Sequence, residues 1–75
     1  MRSYYEYDEE REVLIKIQSG ELPKILHRSE RRWRDLNYSD DSYMRAIFMG
    51  QGCWERLETI TLEEGQRVLK EWGFE

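Results

Sequence analysis

One cysteine, one proline and one histidine among 75 residues remove several protein classes at once. Cys53 alone cannot close an intrachain disulfide, whereas small secreted domains are usually stapled by several. Structural zinc needs about four Cys or His ligands, and His27 with Cys53 falls short of that set. Asp8-Glu9-Glu10 and Asp40-Asp41 lack the spacing of a calcium loop and read as solvated turns. No metal and no cofactor is expected. Pro23 is the only proline, and no Pro/Gly linker divides the chain, so residues 1–75 form a single small globular domain. The opening residues lack the apolar stretch of a secretory signal, and no apolar run approaches the ~20 residues that cross a bilayer. With a lone thiol, these absences lead to the expectation of a cytoplasmic protein without membrane contact.

Positive charge is also in deficit. Twelve Lys and Arg oppose sixteen Asp and Glu, a formal net charge of −4. Non-specific nucleic-acid binders draw most of their affinity from neutralising phosphates, so this balance speaks against that role. A chain this short has little room for a deep pocket, which speaks against catalysis. Three Trp and five Tyr compensate for the small core, because each ring buries a large area.

The order of residues gives an architecture. Tyr4–Tyr7 reads as a first strand, followed by a polar turn at Asp8-Glu9-Glu10. Arg11–Gln18 is a second strand in which the β-branched Val13, Ile15 and Ile17 share one face. Ser19-Gly20 supplies a turn. Residues 22–36 fit two descriptions. As strands they divide into 23–27 and 31–34 around a turn near Ser29-Glu30; as a helix they would hold Pro23 in the first turn and align Leu22, Ile25, Leu26, Ser29, Trp33 and Leu36. Strands are preferred, because a lone hairpin is marginal in water and needs a further partner. A short helix over Tyr43–Met49 follows, capped by Ser39 and stopped by Gly50-Gln51-Gly52. Cys53–Ile60 contains a weak strand.

The last helix is the best marked. Thr61 and Glu64 have capping-box spacing, Gly65, Val68, Leu69 and Trp72 share a face, and Gly73 ends it. Gly65 would let the helix lie close to a sheet, and the helix is expected to pack on Val13, Ile15 and Ile17. The expected fold is α+β: a small antiparallel β-sheet of three to five strands, a C-terminal α-helix on one face and a short helix in the middle.

Charge is segregated along the chain. The residues through Glu12 are mostly acidic, whereas Lys24–Arg34 carries Lys24, Arg28, Arg31, Arg32 and Arg34 around Trp33. One explanation is a solvated surface whose arginines pair with the acidic segment while Trp33 joins the core. The functional reading is a protein-binding or regulatory module whose partner-binding residues are Arg28, Arg31, Arg32, Trp33 and Arg34, since Arg and Trp are favoured interface anchors. The same strip would serve a nucleic-acid binder. A third reading, a small enzyme using Cys53 with His27, needs a base placed beside the thiol. Tyr4, Tyr5 and Tyr7 raise a further option: an N-terminal edge strand that joins a second copy or a partner by strand addition. The blander alternative puts Tyr5 and Tyr7 in the core and Tyr4 on its rim.

Overall fold

The structure is a computed structural model that describes residues 3–36, 41–49 and 57–74. Its elements run β1 (Ser3–Asp8), β2 (Val13–Gln18), β3 (Lys24–His27), β4 (Trp33–Asp35), α1 (Asp41–Met49), β5 (Glu58–Ile60) and α2 (Leu62–Glu71). The five strands form one antiparallel sheet in the order β4-β3-β2-β1-β5, so the expected α+β fold holds. Among the described residues no helix is long and apolar enough to cross a membrane.

Boundaries move: β1 runs on through Asp8, which leaves the expected turn, and β4 spans Trp33–Asp35 rather than 31–34. β2 begins at Val13 rather than Arg11, because Glu12 adopts a left-handed backbone (φ 58°) and the Arg11 N–H is taken by Asp8 Oδ1 at 3.1 Å. α1 starts at Asp41, two residues before Tyr43. Its expected cap Ser39 and its expected stop Gly50-Gln51-Gly52 lie outside the described residues, as does Cys53. The turn at Ser19-Gly20 forms with Gly20 at φ 83° and Glu21 N–H donating to Gln18 O at 3.1 Å.

The helical alternative for residues 22–36 is overturned. Lys16, Ile15, Leu14 and Val13 of β2 pair with Lys24, Ile25, Leu26 and His27. A helix would put Ile25 and Leu26 on one stripe. Here they are both fully buried on opposite faces of the sheet.

That alternation exposes a second correction. α2 does not pack on Val13, Ile15 and Ile17. Those residues face α1, with Ile25, Tyr43 and Ala46. α2 takes the opposite face, where Val68, Leu69 and Trp72 meet Tyr5, Leu14, Leu26 and Ile60. Register explains the choice: Ile60 pairs with Tyr5, and α2 starts two residues later, which throws the helix over the Tyr5 face. Val13-Leu14-Ile15 is a continuous apolar triplet, fully or almost fully buried on both sides. Such a run marks a strand covered on two faces, and full burial of each side chain contributes about 1.5–3 kcal/mol.

The tyrosine strand is therefore interior. β1 is flanked by β2 and β5, so it offers no free edge, and the sheet edges are β4 and β5. Tyr5 is buried and Tyr7 and Tyr4 are half-buried.

α2 starts and stops as its sequence dictates, with one difference. Thr61 Oγ1 accepts the Glu64 N–H at 3.1 Å. The Glu64 carboxylate takes the Thr61 hydroxyl at 3.3 Å. At the other end the Gly73 N–H donates to Lys70 O and the Phe74 N–H to Leu69 O, both at 3.0 Å, with Gly73 at φ 83°. These two bonds form a Schellman motif, and Leu69 and Phe74 both pack against the core on this side of the sheet.

Gly65 sets the distance between helix and sheet. A Cβ there would fall 2.0 Å from Tyr5 Cδ2 and 2.4 Å from Cε2. The Tyr5 ring is buried against Trp33, with centroids 6.1 Å apart, and has nowhere to go. Alanine normally favours a helix over glycine by about 1 kcal/mol. Overpacking costs about 1–3 kcal/mol and more when a ring must move. Gly65→Ala is expected to lower stability by about 1–3 kcal/mol in urea titrations, with partial recovery in the Gly65→Ala/Tyr5→Leu double variant. An unchanged or raised midpoint for the single variant would contradict this packing.

Candidate functional site

The two oppositely charged segments meet in space because of strand register. Asp8 pairs with Val13 and Val13 with His27, so the β1–β2 and β3–β4 turns lie at one end of the sheet. α2 runs towards that same end, bringing Trp72, Gly73 and Phe74 beside the β3–β4 turn.

The five candidate partner-binding residues separate into three settings. Arg28 makes an exposed ion pair with Glu12, and its N–H donates to Glu12 O at 3.0 Å. Arg31 sits in a left-handed backbone (φ 57°), and its Nη1 and Nη2 donate to Trp72 O at 3.1 Å and Gly73 O at 2.9 Å. Its guanidinium also lies 4.6 Å from the Phe74 ring centroid. Cations at a helix C-terminus meet the negative end of its dipole and bare carbonyls. Arg32 is exposed and has no hydrogen-bond or ion-pair partner among the described residues. Trp33 and Arg34 are neighbours on β4, so their side chains leave opposite faces of the sheet. Trp33 is half-buried on the α2 side. Arg34 is half-buried on the other side, where its Nε reaches Glu30 Oε1 at 3.3 Å. The structure thus brings Arg28, Arg31 and Arg32 to one turn and directs Trp33 and Arg34 away from each other. His27 is half-buried at the end of β3, on the face shared with its pair partner Val13.

A pair of buried carboxylates lies under α1. Glu6 and Asp8 share a face of β1 and are 3% and 0% exposed. Asp8 Oδ2 accepts the Tyr43 hydroxyl at 2.9 Å, and Glu6 Oε1 accepts the Thr59 hydroxyl at 2.6 Å. Glu6 Oε2 has no partner among the described residues. The Tyr43 phenol is pushed well above its ordinary value, first by burial and then by its hydrogen bond to Asp8 and that carboxylate's charge. The legible signal was the alternation Glu6-Tyr7-Asp8, which places both carboxylates on one side of a strand.

Two open clefts adjoin Tyr7. One, of about 480 Å³, is lined by Tyr7, Asp8, Glu9, Glu10 and Glu58. The other, of about 230 Å³, lies between β5 and α2 and shares Tyr7 and Glu58 with the first. The Tyr7 phenol is raised from its ordinary value by burial and then by the charges of Glu9, Glu71 and Glu12, against an opposing effect of Arg28. Among the described residues no cluster of three or more His, Cys, Asp or Glu is arranged to hold a metal ion.

Arg31→Ala removes the clamp on α2 and is expected to lose about 1–2 kcal/mol in chemical denaturation. Arg31→Gly loses the same bonds but relieves the left-handed backbone, so it is expected to exceed Arg31→Ala by about 0.5–1 kcal/mol. Tyr43→Phe leaves a buried carboxylate oxygen without its O–H donor, a cost of about 1–3 kcal/mol. Because the folded Tyr43 phenol lies above its ordinary value of 10.0, its contribution is complete below pH 10 and is lost as pH rises through the folded value. Alkaline unfolding monitored by circular dichroism is therefore expected to be steeper in the parent than in Tyr43→Phe; parallel curves would deny that linkage. Compared with family models, curated proteins and solved structures, the chain matches none.

Proposed function

We propose that this domain acts by binding another protein, with the arginines of the β3–β4 turn as its contact residues. The observation that carries the reading is the state of Arg32: exposed and unpartnered among the described residues, on the same turn as two arginines that the fold holds in place. Arg28 is fixed by Glu12 and Arg31 by the end of α2, so a cationic surface exists before any partner arrives. Preorganised side chains lose less freedom on binding. The half-buried Phe74 and Trp33 add apolar area on the α2 side of the same region. A guanidinium forks onto a carboxylate with two parallel bonds, so the partner surface this turn suits is acidic. In this role the protein works in the cytoplasm, where a lone thiol stays reduced, and it performs no catalysis.

A charge reversal tests the reading without disturbing the fold. Arg32→Glu touches no described partner, so its melting temperature is expected to match the parent. Captured from native lysate, a specific polypeptide is expected to bind the parent and to be lost with Arg32→Glu and with the Arg31/Arg32/Arg34 alanine triple. Equal capture by the parent and by Arg32→Glu would dispose of the proposal. The competing role of the same arginines is nucleic-acid binding. It would appear as oligonucleotide affinity that falls steeply with salt and disappears with Arg32→Glu.

A further inference from the structure

We infer that the groove between β5 and α2 receives an extended, lysine- or arginine-bearing segment of a partner protein. This groove lies by β5, at the sheet edge opposite β4, and takes none of its walls from the arginine turn between β3 and β4, so it stands or falls separately from the role proposed above.

The composition of the groove is two-part. Its floor is apolar, made by Tyr7, Ile60 and Val68. Its rim carries the carboxylates of Glu58, Glu64 and Glu71, three against the single guanidinium of Arg67. A lysine or arginine side chain has the same two parts, an apolar stem and a cationic head. The stem would lie along Ile60 and Val68 while the head reaches the rim. An acidic rim over a polar floor would be ordinary solvated surface. The apolar floor is what gives a bound side chain something to gain from leaving water.

Three further observations favour the same occupant. The groove runs on through Tyr7 and Glu58 into the larger cleft, where the exposed Glu9 and Glu10 carry negative charge beyond one pocket and suit more than one cationic side chain. The Tyr7 phenol is raised first by burial and then by the charges of Glu9, Glu71 and Glu12, against an opposing effect of Arg28. Finally, β5 is an edge strand with one side unpaired among the described residues, and an extended segment laid beside it can add main-chain bonds to the side-chain contacts. Alternate side chains of such a segment would enter the groove and the others would face solvent.

The test uses selection followed by mapping. Random octapeptides displayed on phage are selected against the intact chain, and an enriched peptide is titrated into isotopically labelled protein. Enrichment of Lys or Arg at alternate positions is expected. Amide shifts are expected at Glu58, Thr59, Ile60, Glu64, Val68 and Glu71. Affinity is expected to fall about tenfold in Glu58→Lys, which reverses an exposed charge on the rim, and to fall again as salt shortens the screening length. Arg32→Glu is expected to leave this binding unchanged, which separates it from the arginine turn. No enrichment, enrichment of acidic or purely apolar peptides, or shifts confined to the β3–β4 turn would each overturn the inference. Concentration-dependent shifts at the groove without peptide would overturn it too, by giving the groove to a second copy of the chain.

Discussion

Everything in this fold depends on burial of both faces of β2. Leu14 points one way and Val13 and Ile15 the other, and all three are removed from water. A sheet with one apolar face needs a single covering layer. This sheet needs two, and it has only short helices to supply them: nine residues in α1 and ten in α2. The domain therefore spends its aromatic residues on the seams. Tyr43 anchors α1, while Tyr5, Trp33 and Trp72 fill the space under α2. Gly65 permits the close approach that makes α2 an adequate cover despite its length.

The charged end of the sheet obeys different energetics. Exposed ion pairs such as Arg28 with Glu12, or Lys24 with Asp35 across β3 and β4, are worth little individually because water and salt screen them. They hold side chains in place more than they hold the fold together. Arg31 is the exception. It ties the β3–β4 turn to the end of α2 through two carbonyls and an aromatic ring, groups far apart in sequence. Its positive φ is a local cost that this long-range clamp offsets.

Charge also has a direction across the sheet. Guanidinium groups collect by β3 and β4, and carboxylates collect by β1, β5 and the outer side of α2. Both halves are exposed at the same time. A surface divided in this way suits partners of opposite character at opposite edges, which is the sense of the two binding roles proposed. Because steering by such fields acts at a distance, either encounter would be faster at low ionic strength.

What the sequence by itself determined is local. The Thr61–Glu64 cap, the Gly73 stop, the turn glycine at position 20 and the alternation of β2 are written in neighbouring residues, since each depends on bonds or backbone angles within a few positions. The helix–sheet composition followed from them, and so did the preference for strands over residues 22–36. Which face each helix covers was decided by tertiary structure. Leu14 lies on the side of β2 opposite Val13, Ile15 and Ile17, and Leu26 with α2 gives that side its own core. The carboxylates Glu6 and Asp8 read as ordinary acids in an acidic segment until Thr59 and Tyr43, far along the chain, arrived to bond them. The arginine strip read as one surface, yet strand pleating sends Trp33 and Arg34 to opposite sides, and helix termination captures Arg31. Neighbouring residues fix backbone angles. The sharing of faces, partners and water depends on what folds back from a distance, and no local pattern carries that.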